Sequence, residues 1–379
     1  MSEQTAEMAQ ATVRRANTSG VQRSRADTYV LITLVTLAFS VIATRTFLEL
    51  TGYPQIGGST LHIAHAIWGG LLLYAAALLP LILANRWALY LSAGLNGLGA
   101  GLFIDEVGKF ITRDLDYFYP PAAPLVYAFF LLSVLLYQYV RRLKREAPRT
   151  LLYHAFEEMQ EVLDSDLDQG EYEEIMGWLR SARRAESAHL GKLADVLESY
   201  LRDPATPVYP VKPTRWNRFL ATLEHWGNRV SPKLHRTLVM SLMALIAVIA
   251  TAGTMRLLWT ALQPGPFREA LNSVFLAEGD LQDLTDVGWR LLRLGLEGAV
   301  GLLAFIALVH MVLRRDDLAA RLGVFSLVLS LTTVNVLNFY LDQFSATITA
   351  LFEFGALLVI LAYRSWRLHP QHSTPRNYI

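Results

Sequence analysis

The chain has 379 residues, 53% of them hydrophobic and only 18% charged, with a mean hydropathy of +0.30. Soluble domains carry nearer a quarter charged residues, so the balance favours a membrane class. The net charge of +1 says little as a sum, because orientation depends on where Lys and Arg fall, and no nucleic-acid partner is expected. The absence of cysteine excludes disulfides, thiolate zinc sites, iron–sulfur clusters and cysteine nucleophiles, so any metal would need His, Asp or Glu ligands.

Residues 1–27 are polar, hold Arg14, Arg15, Arg23 and Arg25, and read as a disordered cytoplasmic N-terminus. The apolar run from Tyr29 to Leu50 is long enough to span a bilayer and reads as an anchor, not a cleaved signal. A spanning helix needs about 20 mostly apolar residues. Eight runs qualify: 28–50, 61–84, 87–105, 122–140, 237–262, 289–313, 319–340 and 346–363. The predicted fold is therefore all-α, a polytopic membrane protein of eight helices. Its first half covers 28–140, a helical cytoplasmic insert 141–236, its second half 237–363 and a cytoplasmic tail 364–379.

The basic residues set the orientation. With a cytoplasmic N-terminus, the inside segments hold the four N-terminal arginines, Arg86, Arg141, Arg142, Lys144, Arg145, Lys233, Arg236, Arg314, Arg315, Arg321, Arg364 and Arg367. The long outside loop carries Glu269, Glu278, Asp280, Asp283 and Asp286 against Arg268. Both termini are expected inside. The Arg-rich, Ala- and Leu-rich composition suggests a bacterial cytoplasmic (inner) membrane.

Within the insert, Leu151, Leu152, Phe156, Met159 and Leu163 recur at helical spacing up to a break at Gly170. A second helix is predicted from Glu171 to about Leu201, with Ile175, Leu179, Leu190, Leu193 and Leu197 as its apolar stripe. The Pro-rich stretch Asp203 to Pro213 reads as a linker, and Arg215 to Asn228 as an amphipathic segment lying on the inner leaflet. The insert is either a plain helical hairpin or a module that docks a cytoplasmic protein partner.

The two halves invite comparison. Val41-Ile42-Ala43-Thr44 before Arg45 echoes Val248-Ile249-Ala250-Thr251 before Arg256, and Phe103-Ile104-Asp105 echoes Tyr340-Leu341-Asp342. A 4+4 duplication would relate Arg45 to Arg256, His65 to Glu297 and Asp105 to Asp342, about an axis along the membrane normal.

Ionisable groups inside a bilayer are costly, so each asks for a reason. Arg45, Glu49, His62, His65, Asp105, Glu106, Arg256, Arg290, Arg293, Glu297 and Asp342 all fall near the outer ends of their helices, and Glu353 lies about two turns into helix eight. Asn335 and Asn338 add amides nearby. Part of this set has a bland explanation, since Arg45/Glu49, Asp105/Lys109 and Arg293/Glu297 are spaced to pair along their own helices. Glu353 has no charged neighbour on its helix. His62 and His65 share a helix face and, with Asp105 or Glu106, would suit zinc or iron; hydrogen bonding to neighbouring carboxylates is the simpler role. Gly94, Gly97, Gly99 and Gly101 follow no strand, so a phosphate cradle is excluded, and Gly97 with Gly101 makes a small face for close helix approach.

Three readings follow. The first is an outward-facing polar pocket that binds or transports a small polar or ionic solute, using Arg45, His65, Asp105, Glu106, Arg256, Glu297, Asp342 and Glu353. The second is a metal-dependent hydrolase or transferase acting on lipid or envelope substrates at the outer leaflet through His62, His65, Asp105 and Glu106. The third is a membrane scaffold or sensor signalling through the insert.

Overall fold

The structure is a computed structural model and describes residues 20–52, 64–112, 119, 121–143, 147–184, 188–210, 231–262, 284–341 and 343–364. The described residues are helical, apart from turns and one isolated bridge between Asp168 and Tyr209. In chain order the helices are α1 (Ala26–Thr51), α2 (His65–Ile82), α3 (Arg86–Asp105), α4 (Val107–Ile111) and α5 (Ala122–Arg142). The insert contributes α6 (Pro148–Glu158), α7 (Gln160–Leu163), α8 (Gln169–Arg183) and α9 (Ala188–Leu201). Then come α10 (Pro232–Ala261), α11 (Leu284–Val312), α12 (Asp316–Leu329), a π-helical turn (Ser330–Val334), α13 (Asn335–Leu341) and α14 (Gln343–Tyr363). Among the described residues eight helical stretches are long and apolar enough to cross a membrane, and they fall where the hydropathy of the sequence puts them. The predicted amphipathic segment 215–228 lies outside the described residues.

The chain divides into two compact units. One is built from the described parts of Met1–Phe103 and Leu132–Lys212, the other from those of Ile104–Leu131 and Pro213–Arg376. In the first unit, α3 carries the contacts. In lipid, helices associate through close packing and hydrogen bonds, because the tails are as apolar as the side chains. A Cβ on Gly97 would collide with the Thr36 hydroxyl and the Thr33 carbonyl, and one on Gly101 would sit 2.6 Å from Ser40 Cβ. The small face predicted on α3 is therefore the face that meets α1. On another side Gly99 meets Gly69 of α2, each leaving room for the other's carbonyl. Hydroxyls bridge these contacts: Thr33 donates to the Ala93 carbonyl at 3.1 Å and Ser40 to the Leu98 carbonyl at 2.9 Å.

Pro80 lies inside α2 and has no N–H to offer the carbonyl four residues back. That carbonyl belongs to Ala76, and Ser92 of α3 donates to it at 2.7 Å. A group freed by proline is thus satisfied by the neighbouring helix, as a non-aqueous setting demands.

The insert folds on the same unit around Leu151, Leu152, Ala155, Leu167, Ile175, Leu179, Ala182 and Leu201, all buried. The face of α6 that is buried runs through Leu151, Leu152, Ala155 and Glu158, and Phe156 and Leu163 are exposed. Two boundaries need correction. The predicted break at Gly170 lies earlier, at 164–167: Ser165 has φ 55, and Asp168 caps α8 by accepting from the Glu171 N–H while Glu171 accepts from the Asp168 N–H. Gly170 sits in the first turn of α8, and the single helix predicted to Leu201 is instead two, α8 and α9. The bridge ties the start of α8 to the Pro-rich stretch, with the Gln169 N–H donating to the Tyr209 carbonyl at 2.9 Å.

The second unit buries Val239, Met243, Ile246 and Ala247 of α10 against Val300, Ala304, Ala307 and Met311 of α11, with Leu327, Ala356 and Ile360 from α12 and α14. Gly298 and Gly301 receive Thr254 and Thr251, and the Thr254 hydroxyl donates to the Leu294 carbonyl at 2.8 Å. At the start of α10, Arg236 pairs with Asp316 at 3.2 Å, and Tyr363 donates to the same carboxylate at 2.8 Å.

Candidate functional site

The second unit holds a cavity of about 510 Å³. Its charged and polar lining comes from Arg256 of α10, Arg290, Arg293 and Glu297 of α11, Ser330 and Asn338 in and after the π turn, and Thr349 and Glu353 of α14. Arg290, Arg293 and Glu297 fall at i, i+3, i+7, so one face of α11 presents all three. Arg256 lies near the end of α10, and these three lie near the start of α11, so an antiparallel pair brings them to one end. Arg293 holds Glu297 at 3.2 Å, the pair that the i,i+4 spacing predicts.

Glu353 is the most buried of the charged groups in this lining. It is buried, and both of its oxygens accept hydrogen bonds: Ser330 Oγ donates at 2.6 Å to Oε1 and Asn335 Nδ2 at 2.8 Å to Oε2. Two donors five residues apart on one helix would ordinarily not converge. In an α-helix they point about 140° apart, given about 100° per residue. The π turn removes that obstacle, since its backbone bonds run from i to i+5; here the Asn335 N–H reaches the Ser330 carbonyl. Residues five apart are thereby brought onto one side. Tyr127 of α5 braces the turn, donating from its hydroxyl to the Leu331 carbonyl at 2.5 Å with its ring 4.6 Å from that of Phe339. Asn338 Nδ2 in turn donates to Asn335 Oδ1 at 3.4 Å.

Of the predicted site residues, Arg256, Glu297 and Glu353 line this cavity. Asp105 and Glu106 belong to the same unit and are almost wholly buried, 1% exposed each, but they are not among its lining residues. Lys109 pairs with Glu106 at 2.9 Å, three residues back, where the spacing had suggested Asp105. Arg45, on α1, and His65, the first residue of α2, belong to the first unit. His62 and Asp342 lie outside the described residues, and with them half of the predicted metal set's histidines and one member of the predicted pairing of halves. Among the described residues no three His, Asp or Glu side chains come together to hold a metal.

Ser330 is the site residue that the sequence hides. It stands in the run Ser326-Leu-Val-Leu-Ser330-Leu-Thr-Thr, where a small polar residue on an apolar helix carries no distinguishing signal. Compared with family models, with curated proteins and with solved structures, the chain matches none.

Proposed function

We propose that this chain is a multi-pass protein of a bacterial inner membrane whose cavity in the second half binds a small polar or ionic solute and passes it across the bilayer. The observation that carries the reading is Glu353: a carboxylate buried in a spanning helix, facing a cavity, and held by two neutral donors that a distorted helix brings together. Charged groups at membrane depth mark solute or ion pathways by default, and π turns recur at functional sites. The cavity has the size of a small-molecule site, which commonly spans about 300–1,000 Å³.

Arg256, Arg290 and Arg293 supply guanidinium groups suited to an anionic portion of the solute, since guanidinium donors match carboxylate and phosphate in pairs. Glu297 and Glu353 supply acceptors for a cation, a proton or a hydroxyl. On the reading that both termini face the cytoplasm, the end carrying Arg256 and Arg290 faces outward.

The test is solute binding by the purified full chain. Thermal unfolding in detergent is followed with inorganic phosphate, small mono- and dicarboxylates, amino acids, sodium and potassium. A ligand that binds only the folded state raises the midpoint in a concentration-dependent way. We expect saturable stabilisation by at least one of these, reduced at least tenfold in apparent affinity in Glu353→Gln and Arg256→Gln. Stabilisation equal in wild type and both variants would overturn the assignment of the cavity.

A further inference from the structure

A second cluster of charges lies in the first unit, at the ends of two spanning stretches, where the insert meets the starts of α1 and α3. Glu158 is 1% exposed. It accepts from Ser24 Oγ at 3.1 Å, from Arg25 Nε at 3.1 Å and from Arg86 Nη1 at 2.6 Å. Glu171 accepts from Arg25 Nη2 at 3.2 Å and Arg86 Nη1 at 3.1 Å, and Glu161 from Arg86 Nη1 at 2.9 Å. Arg23 pairs with Glu157 at 2.5 Å, and the Ser24 N–H donates to Glu157 at 2.9 Å. At the edges Gln22 donates to the Val140 carbonyl at 2.9 Å and Asn85 to Asp164 at 3.1 Å.

Among the described residues the stoichiometry does not close. Arg86 Nη1 has two hydrogens, yet oxygens of three carboxylates, those of Glu158, Glu161 and Glu171, lie within 3.1 Å of it. Around the junction four carboxylates are in ion pairs with three guanidinium groups. Asp164 and Asp166 from the turn after α7 and Asp168 and Glu174 at the start of α8 also face the cluster, and His154 of α6 meets the Gln22 carbonyl at 3.0 Å at its edge. Tyr29 and Tyr90 face Arg25 from α1 and α3 and add no cation. Carboxylates crowded in a partly dry junction repel unless a proton neutralises one of them.

We infer that the junction between the insert and the starts of α1 and α3 is a pH-sensitive latch, closed by a proton shared among Glu158, Glu161 and Glu171 and loosened when that proton leaves to solvent. Burial pushes all three carboxyls above the ordinary carboxylate range, Glu171 to about 7. A raised carboxyl stabilises the docked state fully below its ordinary range, and that contribution is lost as the pH rises through about 7. Docking is therefore tightest in mildly acidic solution. The inference stands apart from the solute-binding reading and uses none of its residues.

Amide hydrogen exchange on the intact protein tests it, because the Ser24 N–H reports the junction directly. After correction for intrinsic rates, protection of residues 20–25 and of α6 is expected to be about tenfold greater at about pH 6 than at about pH 8, the ratio allowed by one proton lost at about pH 7. Glu171→Gln removes one carboxylate while keeping a residue that serves equally in the capping position. It should hold the junction protected at both pH values, with the ratio reduced below about threefold. Arg86→Gln should expose residues 20–25 at both. Unchanged protection around Ile175 and Leu179 shows that the insert itself remains folded in each variant. Wild-type protection independent of pH, or a full pH response retained in Glu171→Gln, would overturn the latch.

Discussion

A buried carboxylate held by two neutral donors is a demanding arrangement, and Glu353 shows what it requires. Each donor satisfies a different oxygen, so neither can be removed without leaving one acceptor short of its partner. Such a loss costs about 1–3 kcal/mol, more when the acceptor is charged. Ser330→Ala and Asn335→Ala should each lower the thermal midpoint of the purified protein, whereas Thr332→Ala, an exposed hydroxyl bonded to its own helix at Val328, should leave it within error. Glu353→Gln keeps the shape, and its amide N–H₂ can donate to the Ser330 hydroxyl while its oxygen still accepts from Asn335, so it should destabilise less than Ser330→Ala. Equal midpoints for Ser330→Ala and Thr332→Ala would contradict the clamp. At this scale the sequence was informative about Glu353, the one acid on its helix, and uninformative about its partner Ser330. Glu158 was equally hidden: nothing in the pair Glu157-Glu158 says which one is buried against Arg86.

The helices themselves were legible in the sequence because hydropathy over about 20 residues is a strong signal. The close face on α3 was legible too, since glycines four apart on a spanning helix have few other uses. Gly97→Ala should drive α1 and α3 apart, because the added Cβ meets backbone at Thr33 that has no room to yield, and overpacking of this kind typically costs about 1–3 kcal/mol. Gly94→Ala, one turn earlier on α3, meets nothing within 4 Å and should be neutral or slightly stabilising. Comparable loss of folded protein in the two variants would contradict the packing. What the sequence concealed were local departures from ideal helix. The π turn at Ser330–Val334 has no marker residue, and the repair of Pro80 by Ser92 joins positions on two different helices. The end of α8 was missed for another reason, since the apolar positions of α8 and α9 keep a helical rhythm across the turn at Arg184.

At the scale of the molecule, two clusters of described charges differ in chemistry. The cavity in the second unit gathers arginines and glutamates inside spanning helices, and the junction in the first unit gathers them where the insert meets the ends of α1 and α3. The sequence showed that ionisable groups recur near one set of helix ends, but depth alone did not separate those that share a cavity from those that do not. Arg256, Glu297 and Glu353 meet in one cavity, while Asp105 and Glu106 are buried elsewhere in the same unit. The pocket expected from both halves is, as described, lined by residues of the second alone. The natural chain has no cysteine, so single cysteines report access without background. The decisive measurement is labelling of Asn338→Cys and Thr349→Cys, both in the cavity lining, by a membrane-impermeant thiol reagent applied to the outer face of intact membranes, beside Ala304→Cys and Ile360→Cys in the core of the same unit. The two cavity positions are expected to react from outside and the two core positions to stay unlabelled; cavity positions that react no faster than core ones would contradict a solute pocket open to the outer face.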